Sequence, residues 1–172
     1  MVPADRIATR TYLEMKSASA LRPARLEGTD LRVQRDESGD PSLWRMLYTE
    51  VGRQYHWVDR LPWTDGQAAA YLSDPSVSLW VLYAGPGIAG YFELKTHEDH
   101  AVEIVYFGLL PDYTGRGLGG HLLTEAVERA WSLGASRVWL HTCSLDHPSA
   151  IPNYVRRGFT VFKTEEYPVT GP

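Results

Sequence analysis

Between an apolar run, Val102–Leu110, and a long amphipathic stretch, Gly119–Leu133, the chain carries Pro111-Asp112-Tyr113-Thr114-Gly115-Arg116-Gly117-Leu118-Gly119-Gly120. Four glycines fall within six residues there. Glycine removes the Cβ that keeps other residues out of left-handed backbone, so successive N–H groups can converge on one point. The N-terminus of the helix that follows adds a partial positive charge. A strand, a glycine turn and a helix start in that order make an anion site, best suited to a phosphate or pyrophosphate. Arg116 offers a further charge at its flank. A bare strand-to-helix connection would need fewer glycines.

The rest of the chain places this unit in a mixed sheet. Leu31–Arg35 alternates apolar and polar residues, as a half-buried strand does. Leu43, Met46, Leu47 and Val51 recur at helical spacing, and a second short helix is expected from Thr64 or Asp65 to Leu72. Val77–Ala84 and Ile88–Lys95, joined by Gly85-Pro86-Gly87, have a hairpin signature. Val102–Leu110 is apolar on both faces, which suits a central strand. In Gly119–Leu133, Leu122, Leu123, Ala126, Val127, Ala130 and Trp131 form one stripe, and Gly134 stands where a left-handed cap belongs. Arg137–Cys143 is expected as a strand, Pro148–Arg157 as a helix and Phe159–Lys163 as a final strand. This pattern predicts an α/β (α+β) domain, a mixed sheet of about six to seven strands with about four helices. Residues 31–172 are expected to form that single domain. Residues 1–30 are set apart as an N-terminal extension in which Thr11–Met15 can add a strand.

Composition narrows the function. The 172 residues carry a formal net charge of −4 and no basic run, which speaks against nucleic acid as a partner. The single cysteine, Cys143, excludes an intrachain disulfide and favours a reducing compartment. No apolar stretch approaches the roughly 20 residues that span a bilayer, and the first residues show no signal-peptide core. A cytoplasmic protein without a membrane partner is therefore expected.

Gly115, Gly117 and Gly120 also satisfy the dinucleotide pattern Gly-x-Gly-x-x-Gly, but the context is wrong. That fingerprint needs its first glycine directly after the first strand of a parallel sheet, whereas Pro111–Thr114 intervene and a hairpin precedes. A P-loop fails because no Lys-Ser/Thr follows the glycines. From Glu103 to Phe159 the sequence instead resembles the GNAT superfamily of N-acetyltransferases, more loosely over residues 31–163. The family's pyrophosphate motif, Gln/Arg-x-x-Gly-x-Gly/Ala, falls on Thr114-Gly115-Arg116-Gly117-Leu118-Gly119, with Thr114 where Gln or Arg is usual. Leu110-Pro111-Asp112-Tyr113 and Ala150-x-x-x-Tyr154-x-x-x-Gly158-Phe159 are also family-like.

The resemblance implies acetyl-CoA as co-substrate and no metal. It implies that residues Gly115, Arg116, Gly117, Leu118, Gly119 and Gly120 clasp the pyrophosphate. It further implies a bulged strand splayed from Arg137–Cys143, with Phe107, Gly108 and Leu109 binding the pantetheine arm as an added strand would. His147 stands where an asparagine commonly contacts the cofactor. Direct attack by a primary amine is the family's chemistry, so Cys143 is expected as a strand residue and not as a nucleophile.

That reaction sets two proton problems. An amine of pKa ~10.4 must lose a proton, which costs about 4–5 kcal/mol at pH 7, and the departing thiolate must be met by a donor. By its spacing to Gly117, Glu103 matches the family's catalytic glutamate and is the expected base, directly or through water. Glu93 and His141 stand in reserve. Tyr154 aligns with the family tyrosine that reaches the thioester sulfur and is the expected acid. A strand amide near Phe107 or Leu109 would serve the developing oxyanion.

The acceptor is less defined. Tyr55-His56-Trp57-Val58-Asp59-Arg60-Leu61-Pro62-Trp63 is expected to border it. Aromatic rings and Asp59 suit an ammonium, while Arg53 and Arg60 suit an acid. A peptide or a small-molecule amine fits equally, and a homodimer is left open. His97 and His100 look like turn residues more than a metal site. Other readings are a catalytically silent acetyl-CoA sensor of the same fold and, less favoured, a dinucleotide-binding oxidoreductase.

Overall fold

The computed structural model describes residues 6–27 and 30–169. Its strands are β1 (Arg6–Met15), β2 (Leu31–Asp36), β3 (Val77–Ala84), β4 (Gly87–Thr96), β5 (Val102–Leu109), β6 (Val138–Cys143) and β7 (Thr160–Val169). Its α-helices are α1 (Pro41–Gly52), α2 (Asp65–Leu72), α3 (Leu118–Ser132) and α4 (Ala150–Arg157). The strands form one sheet in the order β2-β3-β4-β5-β6-β1-β7. Every pairing is antiparallel except β5 with β6.

Period-two alternation sends neighbouring side chains to opposite faces. On one face Leu82, Phe92, Leu94, Val102, Ile104, Val138 and Leu140 meet the α3 stripe of Leu122, Leu123, Ala126, Val127 and Ala130. On the other, Leu79, Val81 and Tyr91 meet Trp44, Leu47 and Val51 of α1 and Ala68 of α2. Trp44, Leu47, Tyr48 and Val51 lie at i, i+3, i+4 and i+7 and are all buried. Each such side chain contributes about 1.5–3 kcal/mol by leaving water. α2 starts in a capping box, with Thr64 Oγ1 accepting from the Gln67 amide and Gln67 Oε1 accepting from the Thr64 amide.

Two irregularities open the sheet. Opposite β4, Glu93 faces Tyr106 and Leu94 faces Ile104, so Val105 is the extra residue of a β-bulge. On its other side β5 pairs with β6 only at Val102↔Val138 and Glu103↔Trp139. Beyond Glu103 the two strands part. The expected splay and bulge are both present.

β1 lies inside the sheet, antiparallel to β6 from Arg10↔Cys143 to Met15↔Val138 and to β7 from Arg6↔Val169 to Glu14↔Thr160. The last strand is longer than its apolar core suggested, and α3 and α4 are displaced by one or two residues from their expected starts.

Candidate active site

Where β5 and β6 part, one continuous cavity of about 1070 Å³ opens. It runs from the glycine turn, along the free edge of β5, to the aromatic loop after α1. At the glycine end, Gly115 and Gly117 have φ of 75° and 78°, the left-handed region that a side chain strongly disfavours. Gly117 is the N-cap of α3 and supplies no side-chain acceptor. The first-turn amides of α3 therefore have no partner within the helix, and Gly117, Gly119 and Gly120 line the cavity. Asn153 of α4 braces this turn through a 3.2 Å bond from Nδ2 to the Gly119 carbonyl. The arrangement fits a diphosphate held by backbone amides. Arg116 does not line the cavity; its guanidinium lies 5.5 Å from the centre of the Tyr113 ring. Leu118 is turned into the core.

The middle of the cavity is walled by Phe107, Gly108 and Leu109 on β5 and by Leu140 to Cys143 on β6. Tyr154 closes it from α4, with its ring centre 6.1 Å from that of Phe107. The local sequence explains that placement. Gly158 caps α4 at φ 112°, and a Cβ there would lie 2.1 Å from the Ala20 carbonyl oxygen. The tight exit drops Phe159 into the core beside Tyr154, at 6.1 Å between rings. Burial raises the Tyr154 hydroxyl well above a phenol's usual pKa, and the charge of Asp146 adds to it. His147 lines the cavity next to Tyr55, and its Nδ1 accepts from the Ser149 amide at 3.0 Å.

Glu103 lies just before the strands part and does not line the cavity. It is buried, with Oε1 2.9 Å from His97 Nε2. His141 does line the cavity, from β6. Loss of water contact on that strand holds its imidazole below the ordinary pKa, while the nearby Glu103 charge works the other way. Glu93 is committed elsewhere. It is fully buried, and its carboxylate takes Arg60 Nη1 at 2.7 Å, Arg60 Nη2 at 3.0 Å and the Tyr71 hydroxyl at 2.7 Å. Burial alone would lower the pKa of Arg60, but Glu93 more than offsets it, so the guanidinium stays charged.

That ion pair fastens the aromatic loop after α1. The Arg60 guanidinium carbon sits 4.5–5.9 Å from the ring centres of Trp44, Trp63, Tyr71 and Tyr106, and its amide donates to the Tyr48 hydroxyl at 3.1 Å. Trp57 packs edge-on against Tyr106 at 4.8 Å and hydrogen-bonds across the gap to Asp146 Oδ1 at 3.4 Å. Asp59 is exposed at the cavity rim. His97 and His100 join no group of three or more His, Cys, Asp or Glu suited to a metal among the described residues.

Sequence reasoning passed over Asp146, Arg10 and Tyr167, all of which line the cavity. Asp146 follows the C-terminal end of a parallel strand, where open α/β sheets place their ligands, and that position was the available signal. Arg10 and Tyr167 had none, because their strands become neighbours only in the folded sheet. Among the described residues no helix is long and apolar enough to cross a membrane.

The comparisons with known proteins agree with this geometry. Over 113 residues the chain is 33% identical to a mycothiol acetyltransferase of Corynebacterium efficiens, covering 62% of this chain and 37% of that protein. The corresponding protein of Corynebacterium aurimucosum is 38% identical over 90 residues, covering 48% of this chain and 29% of its own length. The match thus spans about a third of these curated relatives. Among solved structures, a GCN5-related N-acetyltransferase from Kribbella flavida superposes with a TM-score of 0.68 at 16% identity, covering 95% of this chain and 59% of that one. Spermidine N-acetyltransferase from Vibrio cholerae, solved with CoA and spermine, gives 0.63 at 18% identity, covering 76% and 81%. The model of the acetyltransferase (GNAT) family matches residues 42–159, more than half of the sequence, and the chain belongs to that family.

Proposed function

We propose that this protein transfers an acetyl group from acetyl-CoA to a primary amine by direct attack, with both substrates held at once. The observation that carries this is the single cavity opened by the parting of β5 and β6. It joins an anion-ready helix start to an aromatic acceptor loop and passes Tyr154 on the way. Its volume, about 1070 Å³, leaves room for an elongated donor and a small acceptor together.

The residues present fit the donor. Gly115, Gly117, Gly119 and Gly120 hold the diphosphate through backbone amides, and the free edge of β5 at Phe107–Leu109 takes the pantetheine arm. Acetyl-CoA supplies the activated acyl carbon. A β5 amide meets the charge that grows on the thioester oxygen. The Tyr154 hydroxyl makes no hydrogen bond with any described residue, and its raised pKa keeps it protonated. It is proposed as the acid, donating to the sulfur as the carbon–sulfur bond breaks. Glu103 is proposed as the base, acting at one remove: His141, or a water beside it, takes the amine's proton and passes it toward the Glu103 carboxylate.

A thermal-shift series with acetyl-CoA, coenzyme A, NAD and NADP tests the donor, and thiol release over a panel of amines tests turnover. Stabilisation by acetyl-CoA with thiol release is expected. A response to NADP but not to acetyl-CoA would remove the proposal, and binding without release for any amine would leave a sensor in its place.

A further inference from the structure

We propose that the acceptor carries a second positive charge besides the amine that reacts, and that Asp146 is the residue that reads it. This rests on the acetyltransferase reading, which it deepens by naming the acceptor's class.

Asp146 sits in the turn after β6. Its Oδ2 accepts from the Cys143 amide at 3.0 Å and from the Thr142 hydroxyl, and its Oδ1 accepts from Trp57 Nε1 at 3.4 Å. All three donors are neutral. No lysine, arginine or histidine lies within ion-pair distance of it among the described residues. The carboxylate is therefore held in place but not neutralised, on a half-buried wall of the cavity. Its charge is felt by Tyr55, His141, Tyr154 and Tyr167, groups from four different elements around the same space.

Two of the three arginines that line the cavity are engaged, and the third, Arg156, comes from α4, the helix that braces the glycine turn. Arg60 is paired with buried Glu93, and Arg10 is paired with Glu165 at 3.1 Å. Asp59, which has no ion pair among the described residues, adds a second negative charge at the rim. What the acceptor half presents is thus net negative, with Trp57, Tyr55 and Tyr106 as π faces. An organic cation is the ligand such walls attract.

The reacting nitrogen itself is poorly served by Asp146. It must be neutral when it attacks, and an adjacent carboxylate would favour its charged form. A second, non-reacting ammonium has no such conflict. It would give Asp146 the counter-charge it lacks and bring Coulombic attraction to a partly dried site. An acceptor bearing a carboxylate would meet repulsion at the same place.

The test is calorimetry on the full chain loaded with coenzyme A, using cadaverine, pentylamine and 5-aminovalerate, which share a chain of five carbons and differ at its far end. Cadaverine is expected to bind about tenfold tighter than pentylamine, with aminovalerate the weakest. Asp146→Asn keeps the shape and removes the charge, and is expected to erase that preference. Equal binding of cadaverine and pentylamine, or tightest binding of aminovalerate, overturns the proposal. So does a preference that survives Asp146→Asn. The wild-type series decides even if the variant does not fold. Failure of the transferase reading shows separately, as absence of coenzyme A binding, and the same three amines titrated into the free protein still test the charge preference at Asp146.

Discussion

Replacing Glu93 by Gln should loosen the aromatic loop after α1 and destabilise the whole domain. Glu93 is fully buried and receives three hydrogen bonds, two of them from the Arg60 guanidinium. The amide of Gln keeps one acceptor oxygen but turns an N–H₂ toward a guanidinium N–H, so one charge-assisted bond becomes a donor facing a donor. A hydrogen bond to a charged group is worth about 1.5–3 kcal/mol. Arg60, 8% exposed, is also left without its counter-charge. Breaking a buried pair from one side costs about 3–5 kcal/mol, which in a domain of this size lowers Tm by roughly 6–20 °C. Circular dichroism melts measure it. Kinetics should show a raised KM for the amine with acetyl-CoA affinity nearly unchanged, since Arg60 anchors the loop proposed to border the acceptor and not the glycine turn. Arg60→Met combined with Glu93→Met should recover much of the lost stability, because removing both charges removes the orphan. A Glu93→Gln melt within about 2 °C of the wild type would refute the reasoning.

Tyr154→Phe should lower kcat about 100-fold, the range for loss of a general acid, while leaving coenzyme A affinity in place; unchanged turnover removes Tyr154 from the chemistry. Gly90→Ala puts a Cβ 2.6 Å from the Gly108 carbonyl oxygen across the β4–β5 pair. Forcing that backbone apart should cost about 1–3 kcal/mol, seen as a lower urea midpoint. Glu165 is held below its ordinary pKa by hydrogen bonds from Tyr12 and Arg10. Below its ordinary pKa, about 4.3, the unfolded chain binds a proton that the folded chain still refuses. Its contribution is thus complete above that value and lost as pH falls through the lowered one. Urea titrations of Glu165→Gln should show a flatter acid limb than those of the wild type.

The glycine turn, the α3 stripe and the β3–β4 hairpin were legible because each is written in neighbouring residues. Periodicity reports which face is buried, and the turn glycines report backbone conformation. Two kinds of information were not local. Arg60 and Glu93 stand 33 positions apart on a loop and a strand, with no periodic relation to join them. Arg10 reaches Cys143 and Glu165 only because β1 slots between β6 and β7. The end of β7 escaped for a different reason. As an edge strand it exposes Val161 and Phe162 and runs on through Lys163, Glu165 and Glu166, so the apolar signal fades while backbone pairing continues to Val169. Asp146 was hidden by its surroundings, since an aspartate among Ser144, Pro148 and Ser149 looks like ordinary turn chemistry.

The interior place of β1 also sets an order of events. Arg6–Met15 leaves the ribosome before any of its partners, yet both strands it must join lie more than a hundred residues downstream. Ordering it early would carry the entropy of closing that long loop with no ladder yet to offset it. The segment must stay unpaired until β6 and β7 have been made, and then slide between them. Arg10 and Tyr167 arrive with that insertion. The wall of the cavity that Arg10 and Tyr167 supply is therefore assembled after the glycine turn, and a ribosome-bound chain stalled before β7 would have one end of the cavity without that wall.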